Sequence, residues 1–350
     1  MLVLVIGILI IGTVNTIVSK LQDKVCIDNC ESTSPVYFEQ PLIQTLNMFI
    51  GESLCLIVWY FGKSRVIDQE EQEPFNGIIL KKPRYWMLLF PTLCDLISST
   101  CMNFALILVA PSIFQTLRGS LIIFTAIISM IFLRKRYTIY QSISLFIIFA
   151  GISVVGISNI INSNGNGNDN DNVKEDNTAN LIGICIILLA QIFTATQYVI
   201  EEKIMQDKRI SPLLAVGLEG LIGTILLLLI SPIYFIVRKI NVTVLFWQII
   251  HEKQLLVSFL VLTFTIAILN YLGLSLTMNM SSTARTTIDA CRILIVWIVS
   301  LIIGWEIFNL IQLLGFLIMV SGIYIYFTSP NVQTQLQLQP QPQPDLVNNN

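Results

Sequence analysis

Ten runs of about 20 mostly apolar residues, separated by short polar stretches, set the plan of this chain: 1–19, 41–61, 86–109, 112–133, 138–158, 181–200, 212–237, 254–276, 283–303 and 308–327. A helix rises about 1.5 Å per residue, so about 20 apolar residues cross the hydrocarbon of a bilayer. The runs are too long and too evenly apolar for the ~10-residue alternating strands of a membrane barrel. The pattern therefore predicts an all-α polytopic membrane protein with ten transmembrane helices. The first run has no basic leader, exceeds a signal-peptide core and ends in Asn15-Thr16-Ile17-Val18-Ser19 without a small-x-small cleavage pattern, so it reads as a retained helix.

The polar positions show a second regularity. Residues 110–152 are echoed by residues 281–323, with Ser112 matching Thr283, Arg118 matching Asp289, Ser129 matching Ser300, Gln141 matching Gln312 and Gly151 matching Gly322. Weak internal symmetry of this kind in an apolar chain is the mark of duplicated transporters, which place a shared cavity between their halves. The tract Asn162–Asn172, rich in Asn, Gly and Asp, cannot bury apolar surface and predicts a disordered linker. The expected organisation is a first five-helix repeat over 1–158, an Asn-rich linker over 159–180, a second repeat over 181–327 and a disordered, low-complexity cytosolic tail over 328–350. Five is odd, so the two repeats are expected to be inverted relative to each other.

Composition agrees: the chain is 54% hydrophobic and 12% charged, against about 25% charged in soluble domains. A net charge of −2 with no basic patch argues against a nucleic-acid partner. Of 20 Lys and Arg, three fall inside spans. If the N-terminus is cytosolic, the remainder divide eleven to six in favour of cytosolic loops, which places both termini in the cytosol. The sequon Asn241-Val242-Thr243 then falls in a lumenal loop.

Seven charged side chains lie within predicted spans: Glu52, Asp95, Arg118, Glu219, Arg285, Asp289 and Arg292. Each costs about 2.5–3.5 kcal/mol at the bilayer centre on insertion scales, so each must face a partner, water or a substrate. Arg285, Asp289 and Arg292 share one face of a helix, and Ser112, Gln115, Arg118, Thr125 and Ser129 form a matching stripe on the fourth run. These stripes read as cavity lining, with a purely architectural ion-pair network as the alternative. Asp289 is close enough along the helix to neutralise Arg285 locally. Glu52 and Glu219 hold matching places beside Gly51 and Gly220; they read equally as proton carriers or as helix–helix hydrogen-bonding groups. Asn15, Gln191 and Gln197 add uncharged polar groups to the candidate cavity, although single amides often serve as contacts between helices. Cys26 and Cys30 lie in the first loop and are free to pair or not; the other five cysteines sit in spans.

Enzyme chemistry finds little support. His251 is the only histidine, and Gly62-Lys63-Ser64 lacks the earlier glycine of a phosphate-binding loop, since position 57 is Ile57. No cofactor or metal site is expected.

Cys94-Asp95-Leu96, Ser112-Ile113-Phe114-Gln115-Thr116-Leu117-Arg118-Gly119, Glu201-Glu202-Lys203, Val216-Gly217-Leu218-Glu219-Gly220 and Thr283-Ala284-Arg285 with Asp289 and Arg292 resemble subfamily F of solute carrier family 35, within the drug/metabolite transporter superfamily. The resemblance runs from the first helix to the tenth. It implies ten helices in two inverted five-helix repeats, and a carrier of a small solute working by alternating access. Helices one to four and six to nine would enclose the cavity, with five and ten outside it. It implies an endolysosomal membrane, with Golgi and mitochondrial membranes as alternatives. The C-terminal tail lacks the acidic-dileucine signal that would support the lysosome. Protons are a candidate second partner, exchange without protons the alternative. A membrane scaffold that kept the fold and lost transport is the competing reading.

Overall fold

The computed structural model describes residues 2–23, 25–28, 36–38, 40–70, 85–109, 114, 117–165, 177–208, 210–238, 247, 249–305, 308–330 and 332. Ten helices account for nearly all of them: α1 (Leu2–Asp23), α2 (Pro41–Glu70), α3 (Leu89–Leu108), α4 (Leu121–Phe132), α5 (Ile139–Gly165), α6 (Asn177–Lys208), α7 (Pro212–Arg238), α8 (Lys253–Asn279), α9 (Ser282–Ile303) and α10 (Leu310–Thr328). Among the described residues, nine helical segments are long and apolar enough to cross a membrane, and α4 is a shorter apolar helix. Their outer faces carry exposed Leu, Ile, Val and Phe, such as Leu228, Leu229, Ile302 and Phe146. Apolar surface on this scale needs lipid to cover it.

The principal helix pairings of the bundle are unchanged when each helix is exchanged for the one five places away. α2 packs along α7, and α5 along α10; each pair maps onto itself. The contacts of α1 with α8 have their mate in α6 with α3, and those of α1 with α9 in α6 with α4. The α5–α10 pair is close because of small residues. A Cβ on Gly151 would stand 2.6 Å from the Met319 amide nitrogen, and one on Gly315 would stand 2.8 Å from the Val155 side chain. Both helices touch the rest of the bundle mainly through α4 and α9.

Four features depart from the sequence reading. The fourth run is not one continuous helix. Leu117 and Arg118 are helical, Gly119 and Ser120 form a turn, and α4 begins at Leu121. Ser120 Oγ donates to the Leu117 carbonyl at 2.6 Å and so satisfies the backbone at the break. At about 1.5 Å per residue, a 12-residue helix spans roughly 18 Å, short of the hydrocarbon thickness. Second, α2, α5 and α6 run past their apolar windows, so the expected linker is narrower: α5 continues to Gly165 and α6 starts at Asn177. Residues 166–176 and 333–350, the core of the linker and most of the tail, lie outside the described residues. So does the sequon at 241–243. Third, a two-stranded antiparallel hairpin, β1 (Cys26–Asp28) and β2 (Val36–Tyr37), fills the first loop. It leads to Phe38, which is buried edge-on against Phe259 of α8 at 5.6 Å. Fourth, Cys26 is disulfide-bonded, which the sequence left open.

Candidate functional site

The charged side chains gather in three places, and the glycines explain where. Along α7, Gly217, Gly220 and Gly223 lie three apart and face Leu56, Glu52 and Phe49 of α2. A Cβ on Gly217 would stand 2.7 Å from the Leu56 amide nitrogen. The two backbones therefore cross almost in contact, which brings Glu52 and Glu219 to one cavity of about 10 Å³. Its walls also include Gln197 and Glu201 of α6, Asn270 of α8 and Arg285 of α9.

Inside this pocket Arg285 Nη1 donates to Glu201 Oε2 at 2.9 Å, and Gln197 Nε2 donates to Glu201 Oε1 at 2.8 Å. Arg285 also stacks over the Tyr198 ring, 3.9 Å from its centroid. Gly273 of α8 leaves room for this guanidinium; a Cβ there would stand 2.7 Å from Arg285 Nε. Asn270 Nδ2 donates to Glu52 Oε1. Glu52 Oε2 and Glu219 Oε1 are buried without a hydrogen-bond partner. Asp95, half-buried on α3, accepts from Ser99 Oγ at 3.0 Å and stands within electrostatic range of Glu52 and Glu201.

The second group is Arg118, Asp289 and Arg292. Arg292 Nη1 lies 3.8 Å from Asp289 Oδ1, and its stem crosses Gly12 of α1. Arg118, at the break before α4, stands within electrostatic range of both. Its side chain is exposed, so it opens onto accessible space and is not sealed into a pair. The symmetry mates Arg118 and Asp289 thus come within electrostatic range of each other where α4 meets α9.

The third group ties the halves together at one end of the bundle. Glu202 is fully buried; its Oε2 accepts from Ser282 Oγ at 2.7 Å and Ser282 N at 3.0 Å, at the start of α9. Its Oε1 accepts from Gln206 Nε2 at 3.0 Å and pairs with Lys135, in the loop between α4 and α5. An acidic group at a helix N-terminus is favourably placed against the helix dipole. Tyr137 hydrogen-bonds Thr283 Oγ1 at 2.6 Å. Burial pushes its phenol above the ordinary range, while the bonds to Thr283 and Ser129 work against that.

The structure places the sequence-predicted residues as follows. Glu52, Gln197, Glu219 and Arg285 share one pocket with Asp95 beside it; Arg118, Asp289 and Arg292 form another group. Arg285 takes Glu201 as its ion-pair partner, so local neutralisation by Asp289 alone is not the arrangement. Asn15 and Gln191 serve as contacts between helices: Thr265 Oγ1 donates to Asn15 Oδ1 at 3.0 Å, and Gln191 Nε2 reaches Met102 Sδ at 3.1 Å. Gln115 lies outside the described residues. Glu201 and Glu202 entered the sequence reading only within the family motif and not as site residues, because the sixth apolar run ends at Ile200. The available signal was the four-residue step from Gln197 to Glu201, which continues one helical face past Ile200.

The model of the UAA transporter family matches residues 44–330. The chain is 32% identical to human "Solute carrier family 35 member F6" over 334 residues, covering 91% of this chain and 86% of the relative. It is 33% identical to the protein of the same name from Mus musculus, with the same coverage. An uncharacterised protein of Schizosaccharomyces pombe is 31% identical over 325 residues, covering 90% of this chain and 94% of the relative. A crystal structure of a protein 10% identical in sequence superposes with a TM-score of 0.62 over 96% of this chain and 98% of that chain, which bears on the fold alone. The chain belongs to the UAA transporter family, as a multi-pass membrane protein similar over 91% of its length to a member of solute carrier family 35 subfamily F.

Proposed function

We propose that this protein is a secondary-active transporter that moves a small organic solute across an intracellular membrane by alternating access. The observation that carries the reading is the second charged group. Arg118 stays accessible at a span that breaks among the described residues, within electrostatic range of Asp289 and Arg292 of the opposite half. Broken helices at the join of two repeats are where carriers bind their cargo. The principal helix pairings, unchanged by the five-place exchange, support two inverted five-helix repeats. The divided domains follow: 1–158 and 181–327 as the moving halves. Arg118, Asp289 and Arg292 are the proposed cargo contacts, and the pocket around Glu52, Asp95, Gln197, Glu219 and Arg285 is the proposed centre of the conformational change. The relatives named as solute carriers support the transport class, and an endolysosomal membrane is the proposed site of action.

The test is an untargeted metabolite comparison of sealed vesicles carrying the wild-type chain, Arg118→Ala or no added protein. At least one small polar solute is expected to differ between wild-type and empty vesicles, and Arg118→Ala is expected to abolish that difference while its folded yield stays near wild type. No difference in any solute would favour a scaffold that retains the fold. A degraded Arg118→Ala protein would make Arg118 architectural.

A further inference from the structure

The pocket between α2, α6, α7, α8 and α9 holds an excess of negative charge. Glu52, Asp95, Glu201 and Glu219 face one guanidinium, Arg285, so four carboxylates and one cation sum to −3 if all ionise. The other titratable groups that face it are the Tyr198 hydroxyl on α6, the Cys55 and Cys94 thiols on α2 and α3, and Asp289 one turn beyond Arg285. None is a cation. Even without the half-buried Asp95, Glu52, Glu201 and Glu219 against Arg285 leave two net negative charges buried, and burial against hydrocarbon demands bound positive charge. Glu201 has its share, since both of its oxygens accept hydrogen bonds. Glu52 Oε2 and Glu219 Oε1 have none, although the two residues are only 3% and 6% exposed.

Size and donor number select the occupant. A cavity of about 10 Å³ is about the room one water needs, far too little for an organic ammonium ion. A hard metal cation takes six or more oxygen ligands, whereas two free carboxylate oxygens face this space. Among the described residues no three His, Cys, Asp or Glu are placed to hold a metal.

We propose that Glu52 and Glu219 form a proton-binding pair on the two sides of the repeat axis, separate from the cargo contacts at Arg118, and that this pair is the coupling site of the carrier. The proposal rests on the transporter reading for its purpose, but proton occupancy can be measured without cargo. Each proton adds to one carboxylate oxygen, taken from water on one side of the membrane and returned to water on the other. α2 and α7 cross at this point through close glycine contacts, so a change of charge between them acts directly on their separation.

The experiment uses the full chain in lipid. Infrared spectra recorded while pH is raised are expected to show the carbonyl stretch of protonated, buried carboxyl groups at neutral pH. Glu52→Gln and Glu219→Gln are each expected to remove about half of it, and the double variant all of it. Because either variant can misfold, wild-type protein is also treated with a hydrophobic carbodiimide, which modifies protonated buried carboxyls; peptide mass analysis is expected to place the adduct on Glu52 or Glu219. An absent band at neutral pH, a band unchanged in folded variants, or an adduct on neither residue would overturn the proposal. So would a melting temperature raised by sodium chloride, not by choline chloride, in wild type but not in the variants, since that assigns the pocket to a metal cation. Vesicles without any transported solute would sink the transporter reading and leave the proton measurement standing.

Discussion

Arg285→Met is expected to lower the stability of the protein by about 3–5 kcal/mol, the cost of breaking a buried ion pair by removing one partner. Arg285 is the only cation in a pocket that holds Glu52, Glu201 and Glu219. Its side chain is 7% exposed and that of Glu201 is 3% exposed, so water cannot take over for either. Removing the guanidinium takes the 2.9 Å bond from Glu201 and the stacking cation from Tyr198. It leaves the carboxylates facing the cavity without the guanidinium. Removing both charges is different: in Arg285→Met with Glu201→Gln, the new amide still bonds Gln197 and no lone charge remains. Most of the loss is expected to return, because replacing a whole buried pair by well-packed neutral groups is often close to neutral. Reversible unfolding in mixed micelles gives the four corners of this double-mutant cycle. Losses that simply add would mean that Arg285 is held by the other carboxylates and not by Glu201.

The same pocket shows what the chain discloses and what it hides. The ten apolar runs and the seven charges within them are visible because the bilayer imposes length and polarity rules on each segment alone. The match of Arg118 with Asp289 is visible because a duplicated chain repeats its polar positions at a fixed offset. The broken fourth span is not: Gly119-Ser120 inside an apolar run reads as ordinary helix, and the turn arises where Gly119 passes against Ile152 of α5. Glu201 is hidden for a related reason. Hydropathy ends the sixth span near Ile200, yet α6 continues to Lys208 and buries Glu201 and Glu202 against α9. Partner choice is also a tertiary fact. Helical spacing offers Asp289 to Arg285, while the packing of α6 offers Glu201 at 2.9 Å.

At the joint between halves, three substitutions are expected to rank by what they leave unpaired: Glu202→Ala most costly, Glu202→Gln intermediate and Lys135→Met least. Glu202 is fully buried, and its oxygens take donors from Ser282, Gln206 and Lys135. Glu202→Ala strips the acceptor from the buried Ser282 amide and hydroxyl and from the first turn of α9. With an unmet buried donor at about 1–3 kcal/mol and a lost acceptor at the helix start at about 1 kcal/mol, the expected loss is about 2–4 kcal/mol. Glu202→Gln keeps an oxygen for Ser282 but turns an amide toward Lys135. Lys135→Met removes the ion pair only. The Lys135 side chain is 23% exposed, so part of its charge is already met by water, and the carboxylate keeps three neutral donors at a helix N-terminus. About 1 kcal/mol is expected there, after discounting for solvent. Thermal unfolding of the three purified variants in one detergent, run beside wild type, gives the order. Lys135→Met as damaging as Glu202→Ala would show that the ion pair, and not the cap on α9, holds the loop before α5 to the ends of α6 and α9.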